Sequence, residues 1–310
     1  GRSIPVVKSL YPVWDQPELS KQVEDGRWFL PGAPLNQRQT IVTSPINAEP
    51  QYVLRMPRPS SWYLWGAVFT AGFFLILTIQ AYVASLVSGV LAVYCILKWC
   101  WGLDRPSGPA TVDVGGGVRL PTYVSGASSH GWWAMVITLI VSGMVAIMAC
   151  FSYVFLWSRR PDLWQAPPEI GSLPLTLGLL AAAGVGAWAS QGALKLDRPR
   201  SAGIASVLML VAALAAGGAF AAEASAWWNS GLRPDASSQG ATVYALLAWQ
   251  GTFVGISLLM GPFVLLRWLC GLVSPRYPAT FEVVAMFVAF TAVQGAATTL
   301  LIRLFPGVGA

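Results

Sequence analysis

The sequence predicts an all-α polytopic membrane protein with seven transmembrane helices grouped two plus five. Three observations predict it. Only 10% of the 310 residues are charged and 55% are hydrophobic, whereas a soluble domain carries about 25% charged residues. Apolar stretches of 18 or more residues recur, long enough as helix to cross a hydrocarbon core of ~30 Å. These stretches lack the period-2 alternation of barrel strands, so helices satisfy the backbone in lipid.

Residues 1–60 are polar and rich in Pro, Gln and charged side chains. They predict an extended, surface-bound tail with short strands at 40–42 and 52–54. Residues 61–101 are apolar, with Lys98 the one charge. As helix this is ~60 Å, about two crossings. A tight hairpin near Gln80 divides it into helices near 61–79 and 83–101. Residues 102–130 form a long polar linker containing Pro106, Pro109, Gly115, Gly116, Gly117 and Pro121. The triple glycine lacks the Gly-Lys-Ser/Thr of a phosphate loop, so a flexible loop is expected.

Residues 131–310 hold five more crossings, near 131–157, 173–190, 201–222, 241–270 and 280–303. Pro174 sits where a helix start tolerates its missing N–H. Trp132, Trp133, Trp157, Trp164, Trp227 and Trp228 fall at predicted ends, as an aromatic belt does. Small residues crowd 181–187 and 212–222, where close backbone approach is expected.

Topology follows from the basic residues. With the N-terminus cytoplasmic, fifteen of the 19 Lys and Arg fall on the cytoplasmic side. That bias places the N-terminus inside and the C-terminus outside. The net charge of +6 is therefore read as a topology signal. No basic cluster with interleaved aromatics stands out, and no nucleic-acid partner is expected. The chain starts at Gly1, and no signal-peptide pattern precedes the polar tail. A piece of a longer polypeptide is expected.

The residues offer little chemistry. Cys95, Cys100, Cys150 and Cys270 lie in or beside apolar stretches, without a CxxC pair. They are expected to be buried packing residues. His130 is the one histidine, so bis-histidine haem ligation within the chain is impossible. It stands before two Trp residues, where an interfacial role is expected. No catalytic residue, metal ligand or cofactor site is assigned. Glu223 and Glu282 lie at predicted helix ends, where solvated carboxylates are expected. Gln250 sits about ten residues into its helix, ~15 Å deep, and Gln294 is also deep. With Ser142, Thr138 and Thr291, these groups are expected to hydrogen-bond between helices. Neither paired charges nor a broken helix at the midplane is visible, which a transporter would favour.

Several segments carry a family resemblance. SHGWWAMVIT at 129–138 with FSYVFLW at 151–157 resembles the third helix of cytochrome c oxidase subunit III. GAFAAEASAWW at 218–228 is similar to the end of its fifth helix. YALLAWQGTFVG at 244–255 and FEVVAMFVAF at 281–290 resemble its sixth and seventh. The tail adds RSIPVVKSLYPVWD at 2–15, like the C-terminal extension of bacterial oxidase subunit I. TSPINAEPQY at 43–52 resembles the connector of fused subunit I+III chains.

The resemblance implies a non-redox module of an aa3-type cytochrome c oxidase in the bacterial inner membrane. It would pack on subunits I and II, hold phospholipids, and support proton uptake and stability during oxygen reduction. Haem a and copper would lie upstream or in a partner catalytic subunit, and cytochrome c would be met only through the complex. This sequence departs from the family pattern. Ser142 stands where the third helix has a carboxylate, and Gln250 and Phe253 where the sixth has histidines. Ala289 and Ala292 replace a His and an Asp of the seventh. Glu223 and Glu282 match acidic positions. The polar and lipid-associated candidates are therefore Ser142, Glu223, Gln250 and Glu282. The alternative expectation is a free-standing transporter or channel.

Overall fold

The computed structural model describes residues 3–4, 7–30, 37–104, 108–167, 172–196, 198 and 200–305. Pro106 of the predicted linker and the C-terminal residues 306–310 lie outside the described residues. The chain divides into two compact units, Gly1–Val124 and Ser125–Ala310.

The first unit opens with two short helices, α1 (Pro12–Asp15) and α2 (Leu19–Glu24). Strands β1 (Gln39–Thr43) and β2 (Pro50–Arg55) pair antiparallel, with Ile41 opposite Val53. The apolar hairpin follows as α3 (Trp62–Thr78) and α4 (Tyr82–Trp101), turning where Gln80 takes a φ of 61°. Ser85 and Ser88 of α4 donate to the Phe73 and Phe69 carbonyls of α3, at 2.9 and 2.8 Å. Hydroxyls thus tie two predominantly apolar helices.

The segment expected to be a flexible loop is instead built. Strands β3 (Thr111–Asp113) and β4 (Arg119–Pro121) pair antiparallel, and Gly115, Gly116 and Gly117 close them with φ of 93°, 62° and 78°. The Asp113 carboxylate accepts the Gly115 N–H at 2.9 Å. A side chain on Gly115 would meet the Ile4 carbonyl oxygen at 2.8 Å, while the Ile4 N–H donates to the Val114 carbonyl at 2.7 Å. Leu30, Val53, Val114 and Leu120 form a small buried core with Ile4, Ile41 and Val118. Glycine punctuation alone does not reveal that this stretch shares a core with the tail.

The second unit begins with a 3-10 turn at Gly126–Ser128. Its long helices are α5 (His130–Arg159), α6 (Leu173–Lys195), α7 (Ser201–Asn229), α8 (Ser238–Leu269) and α9 (Ala279–Leu304). Ser129 caps α5 by accepting the Trp132 N–H, and Ser237 caps α8 by accepting that of Gly240; such caps satisfy donors that the first turn leaves open. The main core gathers Ala187, Leu194, Ala205, Met209, Val264, Phe281 and Val288 from α6 to α9. A second cluster at the opposite end joins Tyr153, Trp227, Leu246 and Ile302. Helix α9 is central: 56% of its apolar window is buried within the structure, against 6% for α5.

Among the described residues, six helices, α4 to α9, are long and apolar enough to cross a membrane; α3 is apolar but has 17 residues. The chain is an all-α membrane protein in its architecture, with two small hairpins outside the apolar helices. Two helices run further than predicted. Helix α6 continues to Lys195, and α7 continues past Glu223 to Asn229. The cysteines also differ from expectation. Cys95 is buried and Cys100 and Cys150 are half-buried, but Cys270 is exposed because α8 ends at Leu269.

Small residues set the approach of α7 and α8. A methyl on Gly261 would lie 3.0 Å from the Ala213 Cβ and 3.4 Å from the Leu210 Cα, whereas Gly178 has open space around it. Gly261→Val is therefore expected to cost about 1–3 kcal/mol through overpacking. Gly178→Ala should leave stability within about 0.5 kcal/mol. SDS titration in mixed micelles measures both.

Candidate functional site

One face of α9 carries a row of buried polar groups. Thr291, Gln294, Thr298, Thr299 and Arg303 are all buried. Apart from the adjacent Thr298 and Thr299, successive members lie three or four residues apart, which keeps them on one side of a 3.6-residue helix. Three assemblies lie along that helix.

The strongest is at the C-terminal end of α9. Arg303 Nε donates to Glu223 Oε1 at 2.8 Å, and Arg303 Nη2 donates to Glu223 Oε2 at 3.1 Å. This is a two-pronged guanidinium–carboxylate pair, the geometry in which the planar fork is most specific. Each partner is 2% exposed. The Trp227 indole N–H donates to Glu223 Oε1 at 2.8 Å. Arg303 Nη2 also donates to Ser172 Oγ at 3.1 Å, and the guanidinium lies 5.8 Å from the Trp227 ring centroid. The expected solvated carboxylate is thus a buried ion pair. The sequence predicts a helix end at Glu223, but α7 continues to Asn229 and carries it inside. The exposed pair Arg160–Asp162, at 3.3 Å, is a contrast. There the Arg160 hydrogen bond holds the Asp162 carboxyl below its usual range, and solvent screens the pair.

Deeper in the unit, Gln250 Nε2 donates to the Thr291 carbonyl at 3.0 Å. Gln294 Nε2 donates to Gln250 Oε1 at 3.3 Å. Ser257 Oγ and Thr291 Oγ1 share a hydrogen bond of 3.3 Å, and Thr291 Oγ1 donates to the Phe287 carbonyl at 2.9 Å. Gly295 admits the Gln250 amide: a Cβ there would lie 2.5 Å from Gln250 Nε2. A cavity of about 10 Å³, lined by Thr176, Glu223, Gln250, Thr298 and Thr299 among others, lies between this network and the ion pair. That is room for about one water, with enough polar neighbours to hold it.

The third assembly is at the start of α9. Glu282 Oε2 accepts the Gly126 N–H at 2.7 Å, and the Glu282 carbonyl accepts Gln191 Nε2 at 3.5 Å. A cavity of about 220 Å³ opens here between Ser125, Gln191, Lys195, Pro278 and Glu282.

The four sequence candidates therefore separate. Glu223 and Gln250 line one cavity, and Glu282 lines another. Ser142 is half-buried on α5, and none of these hydrogen bonds includes it. Phe253 belongs to an aromatic group, stacked on Phe287 at 5.3 Å and 5.7 Å from Phe290. His130 is the exposed first residue of α5. Among the described residues, no group of three or more His, Cys, Asp and Glu could hold a metal ion. Arg303 and Ser172 were missed from sequence. The available signal was Arg303 four residues after Thr299, on the same i, i+4 row as Thr291 and the one charge at that end of the helix. Trp227 four residues after Glu223 was a second signal, because such a spacing brings side chains together.

Neither a family model nor a curated protein matches the chain.

Two substitutions test these assignments. Trp227→Phe keeps a ring beneath Arg303 but removes the indole donor to a buried carboxylate. It should cost about 1.5–3 kcal/mol, and Trp227→Leu should cost more, read by SDS titration. Gln250→Leu removes two interhelical hydrogen bonds and should cost about 0.6–2 kcal/mol by the same assay.

Proposed function

We propose that the chain is a non-redox, subunit III-like module of an aa3-type cytochrome c oxidase. In this reading it is the C-terminal part of a fused subunit I+III chain in the bacterial inner membrane. It crosses seven times, with α3 as the seventh span, and its N-terminus is cytoplasmic. It packs on the catalytic subunits I and II, holds phospholipids, and supports proton uptake and durability of the catalytic part. Haem a and copper belong to that catalytic part. This chain contributes no catalytic centre, and cytochrome c meets it only through the complex.

The observation that carries the reading is the order of the resembling segments. They fall on α5, the end of α7, α8 and α9 in the family's sequence, and the apolar helices divide two and five between the units. Glu223 and Glu282, the acidic positions retained from the family pattern, each make a specific contact in the second unit. Where the pattern has histidines, this chain has a glutamine in an amide network and a phenylalanine in an aromatic stack. These groups hold helices together and carry no proton at neutral pH. The module therefore acts as a scaffold more than as a proton-handling site.

A free-standing transporter or channel is the second reading. One observation favours it: a buried ion pair and a polar cavity lie on the same helix face, and intramembrane charges often mark transport paths.

Purification of the native chain in mild detergent, followed by a reduced-minus-oxidised spectrum, separates the two. The oxidase reading expects a stoichiometric haem a signal with subunits I and II. It also expects Gln250→Leu to leave haem content unchanged while lowering durability during turnover. A colourless preparation that moves solutes in liposomes would establish the transporter reading instead.

A further inference from the structure

The cavity at the start of α9 has chemistry that the ion pair and amide network do not use. It carries two charges of opposite sign, Lys195 and Glu282, that do not satisfy each other. Among the described residues, Lys195 makes no ion pair. Glu282 commits one carboxylate oxygen to the Gly126 N–H at 2.7 Å. Its other oxygen makes no hydrogen bond within the described residues. Ser125 supplies a hydroxyl, and Leu194, Pro275 and Phe281 supply apolar wall.

Size and place narrow the occupant. The volume of about 220 Å³ is far more than one water needs. It is less than the ~300–1,000 Å³ of a site that encloses a whole drug-sized ligand. It suits a headgroup whose remainder lies outside. The cavity sits where α6 ends and α9 begins, at one end of the spanning helices. Leu196 and Leu269, exposed at 59% and 64%, add apolar surface where α6 and α8 end.

We propose that this cavity binds the headgroup of a zwitterionic phospholipid bearing a primary amine, the phosphatidylethanolamine class. The phosphodiester pairs with Lys195 and the Ser125 hydroxyl. The ammonium donates to the open oxygen of Glu282. A choline headgroup has no N–H to donate, so it leaves that oxygen unanswered. A glycerol headgroup carries no cation, and its phosphate faces a carboxylate. The selectivity is therefore set by Glu282, while Lys195 supplies attraction common to all phospholipids. This inference rests on the membrane reading of the helices and not on membership of an oxidase.

Native mass spectrometry of the full chain, released from nanodiscs of defined composition, tests it. Nanodiscs hold phosphatidylcholine with an equal small fraction of phosphatidylethanolamine or phosphatidylglycerol. The expected result is one retained phosphatidylethanolamine per chain, preferred at least ~10-fold over the other two. Glu282→Gln, whose amide oxygen still accepts the Gly126 N–H, should abolish the preference. Lys195→Gln, at an exposed position that does not threaten folding, should weaken retention of phosphatidylethanolamine and phosphatidylglycerol alike. Soluble phosphoethanolamine at millimolar concentration should not displace the lipid. Equal retention of all three lipids, an unchanged preference in Glu282→Gln, or displacement by the soluble zwitterion would overturn the assignment. None of these results depends on haem, so failure here leaves the oxidase reading to its own spectrum.

Discussion

A charge buried among apolar helices has too little water to solvate it, so the bundle must pair its own. The second unit meets this constraint with Glu223 and Arg303. Both side chains are almost fully buried, and each is completed by further hydrogen bonds, to Trp227 and Ser172. The pair joins α7 to α9, whose C-terminal ends it fixes in register. Breaking such a pair by removing one partner costs about 3–5 kcal/mol, because the survivor remains buried and charged. Replacing both by apolar groups costs far less. The pair therefore specifies which helix faces meet, whatever its net contribution to stability.

The rest of the unit follows from the position of α9. Its buried polar face gives Thr291 and Gln294 partners on α8, and the Gln250 amide enters the space that Gly295 leaves. Towards the other end, aromatic contact with Phe253 replaces polar contact, Phe287 stacked on it and Phe290 tilted against it. Neutral amides, hydroxyls and rings fill the interior of this helix, while its carboxylate and guanidinium stand near the two ends. That distribution suits a body that stays in one conformation. A transporter that alternates between states would be expected to keep its charge at the midplane.

Much of the fold was legible because lipid imposes length and continuity. Apolar runs of 18 residues can do little but span, and the turn at Gln80 was readable from the length of the run it divides. The strands at 40–42 and 52–54 were readable from β-branched and aromatic composition, and they pair as β1 and β2. The ends of helices were less legible. Glu223 read as an end because a lone carboxylate normally stops an apolar run, and its partner is eighty residues away. Arg303 counted as a topology marker for the same reason. Gln250 was legible as a deep polar group, but its acceptor is a backbone carbonyl that no side-chain pattern announces. The glycines at 115–117 were legible as a turn, and only the shared core with Ile4 and Val53 makes that turn part of a folded body.

The claim that this pair organises the bundle is tested most directly by a double-mutant cycle on unfolding free energy in mixed micelles. The variants are Glu223→Gln, Arg303→Gln and the double substitution. If the pair acts as described, each single change costs several kcal/mol, and the double change costs less than their sum by at least ~1.5–3 kcal/mol. If the two single effects add within about 0.5 kcal/mol, the side chains are not coupled, and another interaction holds α7 against α9.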